Sequence, residues 1–385
     1  MNQDDYDPGM SEHSRRAFLT GQAAAAGVEE LQQAVGESVL GPRDEPVPRV
    51  GDTVRLETFA MACLWQIMLP PCTTAELMAA SDVLDRVHDL ELMMTTYRQE
   101  GLVAQINAAD TDAPIAIPSE LMDLMDLALS LSRRTEGRFH PAAGALIDLW
   151  REARRDERIP TDEEVAAAVK RSTIEGIELD RDRGTIRKPV GVKLNLGAIG
   201  KGYALDRLAG WLREAGLESF LVHGGYSSVY AAGRSGTADG WPVALRDARR
   251  TDYTVGTVLL KDRGLSSSGS TAQYYRVAGR RFGHLLDPRS GWPSDGTLSV
   301  TTTSTSAAVA DALSSAFFVG GLDFSRRYCD TSDQSTAADV DDVAALIVPQ
   351  SRSRETDAVP IGGFAETFWR SVRSAETRPS AKVPG

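Results

Sequence analysis

Asp311 and Ser315 stand four residues apart in the run Ala307-Ala308-Val309-Ala310-Asp311-Ala312-Leu313-Ser314-Ser315-Ala316-Phe317-Phe318. On a helix that spacing turns both oxygens to one side, which suits a hard cation such as Mg2+ that keeps few protein ligands. The alternative is a solvated helix face, but Val309, Ala312, Leu313 and Phe317 argue for burial, and a buried Asp311 needs a partner. A second element, Leu194-Asn195-Leu196-Gly197-Ala198-Ile199-Gly200-Lys201-Gly202-Tyr203, reads as a Gly-rich turn between a strand and a helix, where amides and the helix dipole can hold an anion. It fits neither a Walker A loop, because Gly202 follows Lys201 and Asn195 opens the loop, nor the G-x-G-x-x-G dinucleotide spacing. Phosphate binding and tight strand-to-helix packing both stay open. A third element, Gly283-His284-Leu285-Leu286-Asp287-Pro288-Arg289-Ser290-Gly291, offers His284 as a general base or phosphate ligand, whereas Asp287-Pro288 with Gly291 reads as a turn. His140 and His223 are equally open between chemistry and structure, and His13 and His88 read as surface residues. No Ser/His/Asp order or nucleophile elbow emerges.

These residues must be positioned by a mixture of helices and hairpins. Val54, Leu56 and Phe59, then Met61 to Leu69, predict the first strands, so the folded domain starts near residue 50. Thr73 and Thr74 cap one long helix from Ala75 to about Met94, Ser119 starts another from Glu120 to Arg134 that stops near Gly137, and Thr161 caps a third. Ile177 to Arg187 predicts a hairpin turning at Asp182-Arg183-Gly184, and Val192 to Leu196 a short strand. A helix over Tyr203 to Ala215 and a strand over Phe220 to Val222 follow. Further strands are expected over Trp241 to Leu245, Val255 to Leu260, Tyr274 to Leu286 as a hairpin, Leu298 to Thr303 and Ala344 to Val348, with one helix over Ala307 to Phe318 and a closing segment from Ile361 to Trp369. The polar stretch Thr331 to Asp342 has the composition of a mobile loop. Strands follow hairpins rather than repeated βαβ units, so the fold class is α+β with a mainly antiparallel sheet.

The 385 residues carry a net charge of −12, which disfavours a nonspecific binder of nucleic-acid phosphates. Cys63, Cys72 and Cys329 are scattered without CxxC or Cys/His spacing, which removes a disulfide scaffold and a structural zinc site as leading ideas. No run approaches the ~18 consecutive apolar residues of a membrane span. Ser14-Arg15-Arg16-Ala17-Phe18-Leu19 has the form of a twin-arginine export signal, but the apolar run after it is short and closes at Glu29-Glu30. Residues 1–49 therefore read either as a degenerate leader to the periplasm or as the mobile arm of a cytoplasmic protein.

Taken in order, the segments resemble the FAD:protein FMN transferases, the ApbE family. The resemblance runs from about Met61 to Gly321 and rests on Met61-Ala62-Cys63-Leu64-Trp65, Thr96-Tyr97-Arg98 with Asn107, Phe139-x-Pro141-x-x-Gly144-x-Leu146-x-x-Leu149-Trp150, and Leu196 to Ala204 with Asp206. It continues through Gly224-Gly225, Ser268-Gly269, His284-x-x-Asp287-Pro288-x-x-Gly291-x-Pro293 and Ala310-Asp311-Ala312-Leu313-Ser314-Ser315-Ala316. It implies an ApbE-like, T-fold-related domain with an antiparallel sheet core and packed helices over residues 50–372, followed by a tail at 373–385.

The implied activity is Mg2+-dependent transfer of FMN from FAD to a Ser or Thr hydroxyl of an acceptor protein, with AMP leaving. FAD, the acceptor protein and a membrane-associated redox partner are the partners this implies. By the family pattern the metal takes Asp311, Ser315, Ser314 and the carbonyl of Ala198. Lys201 and the amides of the 197–202 turn bind the pyrophosphate, and His284, with Asp311, carries catalysis. Met61, Tyr97, Arg138, Phe139, His140, Asn195, Lys201, His284 and Leu285 match positions on the FAD side. The chain departs from the pattern at Gly101-Leu102, usually Ser-Glu; at His140 and Asn195, each usually Asp; at Val222 to Tyr226, usually Asn-x-Gly-Gly-Asp; and at Ser267 to Ser270, usually Thr-Ser-Gly-Asp. Two other readings follow from those departures: a flavin- or nucleotide-binding relative without catalysis, and a FAD pyrophosphatase that uses water as acceptor.

Overall fold

The computed structural model describes residues 52–370 apart from 110, 250–253, 271–273, 278, 333–341 and 351–357. The twin-arginine-like segment, the tail from 373 and most of the Thr331 to Asp342 stretch lie outside the described residues. The chain opens with β1 (Val54–Ala60) and β2 (Cys63–Leu69), joined by Met61 and Ala62, both at positive φ, as a two-residue hairpin turn requires. Next come α1 (Thr74–Asp85), α2 (Val87–Met94), α3 (Leu102–Ala108), β3 (Ile115–Ala116), α4 (Ser119–Arg134), α5 (Gly144–Arg155), α6 (Asp162–Arg171), β4 (Glu178–Asp180) and β5 (Thr185–Arg187). The second half holds α7 (Gly200–Glu214), β6 (Phe220–Gly224), β7 (Ser228–Ala232), β8 (Trp241–Arg246), β9 (Thr254–Leu260), β10 (Arg263–Gly269), β11 (Tyr274–Val277) and β12 (Arg280–Gly283). β13 (Thr297–Ser304), α8 (Ala307–Ser332), β14 (Ala344–Pro349), β15 (Val359–Ile361) and β16 (Phe368–Arg370) complete it.

The described residues fall into two units. In the smaller, residues 242–258 and 368–370, β9 lies between β8 and β16 and pairs antiparallel with β16. The larger unit is built on an eight-stranded sheet in the order β1-β2-β6-β7-β10-β13-β14-β15, antiparallel throughout. The expected α+β class with a mainly antiparallel sheet is what the chain adopts. Helices α7 and α8 pack on each other and on this sheet. Gly202 makes that approach possible, because a Cβ there would sit 2.1 Å from the Ala307 carbonyl oxygen. Residues 307–330 are long and apolar enough to cross a membrane, but 67% of the most apolar 18-residue stretch within them is buried inside the fold.

Local signals account for many boundaries. Thr73 with Glu76 and Thr161 with Glu164 form reciprocal capping boxes, and Gly137 closes α4 at φ +75°. Three expectations change. The long first helix breaks at Arg86, whose guanidinium lies 3.3 Å from the centre of the Trp211 ring on α7, a tertiary contact no local pattern encodes. Val192 to Leu196 forms no strand. Asn107 donates to the Leu194 carbonyl at 2.8 Å and accepts from its amide at 2.7 Å, while the Asn195 amide donates to Pro141. A side chain thus supplies what a neighbouring strand would have given. The helix expected to end at Phe318 runs to Ser332, turning at Gly321, where φ +68° is open to glycine.

Candidate active site

A cavity of about 650 Å3 opens beside the α7 and α8 pair. Its wall includes Tyr97, Arg138, Phe139, His140, Asn195, Ala198, Lys201, His284, Leu285, Asp311 and Ser315. Eleven residues singled out in the sequence are thereby brought to one place. Met61 and Ser314 are not in its wall. Met61 sits in the β1–β2 turn, where its amide donates to Glu91 at 2.9 Å, and Ser314 is buried, donating to the Asp311 carbonyl at 2.8 Å with its oxygen also 2.8 Å from that of Ser268.

Asp311 has the partners its burial demands. Its Oδ1 accepts from Ser266 at 2.7 Å and its Oδ2 from the Gly202 amide at 3.1 Å. Burial pushes the carboxyl above the usual range, against the pull of Lys201, Ser266 and Gly202. The helix bearing Asp311 is fixed at its start by Asp206 of α7, whose carboxylate accepts from the Ala307 amide at 2.7 Å, the Ala308 amide at 2.9 Å and Ser306 at 2.7 Å. Lys201, in the first turn of α7, donates to Ser227. The Gly-rich turn is mostly occupied with its own folding: the amides of Ile199 and Gly200 donate to Leu196, that of Gly197 to the Asn195 side chain and that of Gly202 to Asp311. Gly197, Ala198 and Lys201 of this turn line the cavity, and Lys201 brings the positive charge an anion would meet.

The ApbE family profile matches residues 61–339. The chain belongs to the ApbE family. Similar sequences include the FAD:protein FMN transferases of Klebsiella pneumoniae (strain 342), 29% identical over 248 residues covering 63% of this chain and 76% of the relative, and of Vibrio cholerae, 30% identical over 247 residues covering 62% and 71%. Among solved structures, the ApbE protein of Thermotoga maritima superposes with a TM-score of 0.73 at 25% identity, over 82% of this chain and 99% of that one. The flavinyl transferase ApbE of Pseudomonas stutzeri, apo form, has the same fold, with a TM-score of 0.71 at 24% identity over 83% and 98%.

In this ApbE-family chain the position expected to hold Asp carries His140, whose Nδ1 accepts from the Ala142 amide at 3.2 Å, leaving Nε2 to carry the hydrogen. Burial pushes this imidazole down to about 4, so it is neutral at physiological pH. Arg138 lies 3.9 Å from the centre of the Phe324 ring and donates to Glu136 at 2.6 Å. Tyr97 is 67% exposed at the rim, with Arg151 4.6 Å from its ring centre. The β11–β12 ribbon closes one side with Tyr274, Tyr275 and Gly283, and His284 follows it.

The donor set fits a hard cation. Asp311, Ser315 and the Ala198 backbone share the cavity wall, all are oxygen donors, and a buried carboxylate gains from a cation beside it. Among the described residues no three of His, Cys, Asp or Glu converge, so a thiolate or imidazole cage is not on offer. Sequence reasoning missed the hydroxyls of Ser227, Ser228 and Ser266. Ser227 and Ser228 oxygens lie 3.4 Å apart, those of Ser228 and Ser266 3.1 Å, and the row ends on Asp311. Period-two spacing in Leu265-Ser266-Ser267-Ser268 was the available signal, since it puts Ser266 and Ser268 on one face.

Proposed function

We propose that this chain transfers the FMN half of FAD to a Ser or Thr hydroxyl of an acceptor protein, releasing AMP, with Mg2+ held by Asp311, Ser315 and the Ala198 carbonyl. The observation that carries the reading is the meeting of the buried Asp311 carboxylate, Lys201 and His284, from three distant parts of the chain, in a single cavity. In the reaction the acceptor oxygen bonds to the FMN phosphorus, the bridge to the second phosphorus breaks, and AMP leaves with the bridging oxygen. Lys201 binds the pyrophosphate and balances its charge. His284 takes the hydroxyl proton as the P–O bond forms. Asn195, Arg138, Phe139, Leu285 and neutral His140 wall the flavin and exclude water, with His140 offering an N–H where a carboxylate would only accept. A bound Mg2+ would neutralise pyrophosphate oxygens and the charge growing on the leaving phosphate.

The test is incubation of purified protein with FAD and Mg2+, with and without a flavin-acceptor domain, followed by mass analysis. AMP together with flavin covalently on the acceptor is expected. AMP with free FMN would instead identify a pyrophosphatase, and FAD bound without cleavage a binding protein.

A further inference from the structure

Beside the cavity, three polar residues stand in register across three strands. Glu57 on β1 faces Gln66 on β2, and Gln66 faces His223 on β6. Gln66 is buried, and its Nε2 donates to Glu57 Oε1 at 2.5 Å. That carboxylate can only accept, so it fixes the amide with Oε1 turned toward His223, whose Nε2 lies 2.5 Å away. The other ring nitrogen, Nδ1, lies 3.2 Å from the Gly225 carbonyl oxygen. Both ring nitrogens therefore face acceptors. A neutral imidazole has one N–H and can satisfy only one of them; the imidazolium satisfies both.

What the ring holds matters for the cavity. Gly225–Ser227 is a single helical turn, and Ser227 is the residue that accepts from Lys201. Tyr226, in the middle of the turn, is 95% exposed, and its ring stacks on His223 with centres 5.9 Å apart. The turn is tied to the sheet through His223 and to the cavity through Ser227.

We propose that His223 is a positioning residue for Lys201: its doubly protonated ring clamps the Gly225 carbonyl to the Gln66–Glu57 row and holds Ser227 against the lysine, and loss of one ring proton loosens the clamp. The inference rests on the flavin-transfer reading only for the identity of the anion that Lys201 meets. The charged and titratable groups around the ring are Arg55 and Glu57 from β1, Tyr226 above it, and Cys63 and Lys201 beyond the turn. Burial draws the imidazole below its ordinary range, Arg55 adds to that, and the Gly225 carbonyl and Glu57 oppose it. The clamp therefore tightens toward acid. His140, pushed to about 4, and Cys63, pushed up by burial, keep their charge states across mildly acidic to neutral pH.

Two readouts test this on the full chain at about pH 5.5 and about pH 8. One is the protection of the 225–227 amides from hydrogen exchange, scaled for the intrinsic rate; the other is FAD affinity. In the wild type, protection and affinity should each be about fivefold higher at the lower pH. His223→Gln, which does not titrate, should abolish the pH dependence of amide protection and reduce that of affinity to the part carried by Asp206, whose carboxyl is raised to about 6. Glu57→Gln, at the sheet edge, makes the sharper test: it frees Gln66 to turn over and donate to a neutral His223, so protection should stay at its acid level at both pH values. Wild-type protection that ignores pH, or a Glu57→Gln profile unchanged from wild type, overturns the clamp. If the amides behave as expected but FAD does not bind, the flavin reading fails and the clamp stands.

Discussion

Asp311 gathers most of the site's electrostatics. With its oxygens held by Ser266 and Gly202 and its charge enclosed, it is costly without a cation and well placed for one. Asp311→Asn should lower Mg2+-dependent AMP release by at least about 100-fold, a loss of roughly 2.7 kcal/mol of transition-state stabilisation. Without metal, the same variant should melt no earlier than wild type, because it removes a buried charge; a calorimetric scan beside the AMP assay checks both. Asp311, Ser315, Lys201 and His284 were singled out in the sequence through the motifs shared with the family, their types and spacing alone leaving other readings open, and the fold brings the four to one cavity wall. Ser228 and Ser266 were not, since serine is common and its meaning here depends on a register that pairs them across β7 and β10. Ser314 shows the reverse limit: it belongs to the motif, yet its hydroxyl is spent on the helix's own carbonyl and on Ser268.

The junction of α7 and α8 sets where those residues can be. Gly202→Ala would drive a methyl into the Ala307 backbone, so the helices must part; destabilisation of about 2–4 kcal/mol in urea unfolding is expected, with weaker FAD binding. Asp206 gives the junction a pH dependence. Its enclosure raises the carboxyl from 3.8 to about 6, so between those values the folded chain holds a proton the unfolded chain has lost. That contribution to stability is complete below about 3.8 and fades as pH rises through about 6, by on the order of 3 kcal/mol. His140 runs the other way, because its pKa falls from 6.5 to about 4: its contribution is present above 6.5 and fades as pH drops through about 4. The two slopes oppose each other, so in the shared window each partly masks the other in the wild type. Asp206→Asn should uncover a loss toward acid, and His140→Gln a gain, in unfolding midpoints at about pH 4.5 and about pH 6.5. Capping boxes and hairpins at this scale were readable because their signals are local. The break at Arg86 and the missing strand at Val192 to Leu196 were not, because Trp211 and Asn107 decide them from elsewhere in the chain.

Over the whole molecule, net charge and fold division carry different information. A charge of −12 repels an anionic ligand at long range, so FAD binding should depend on the local field of Lys201, Arg138 and Arg151 at the cavity. FAD at about 100 times its Kd should add about 2.7 kcal/mol to stability, raising the melting temperature by about 2–4 °C; Mg2+ should enlarge the shift in wild type and leave Asp311→Asn unchanged. The antiparallel α+β class was legible from hairpin spacing, whereas the separation of residues 242–258 and 368–370 as a unit left no mark on composition. The cavity wall runs from Tyr97 to Val319, which has a consequence for synthesis. A ribosome that has released β1 and β2 must still make more than a hundred and fifty further residues before Gly224 arrives to pair with Trp65, and nearly ninety more before Asp311 emerges. Nascent chains stalled before residue 311 leaves the exit tunnel should capture no flavin, and chains stalled well beyond the end of α8 should, which makes the ligand a reporter of finished translation.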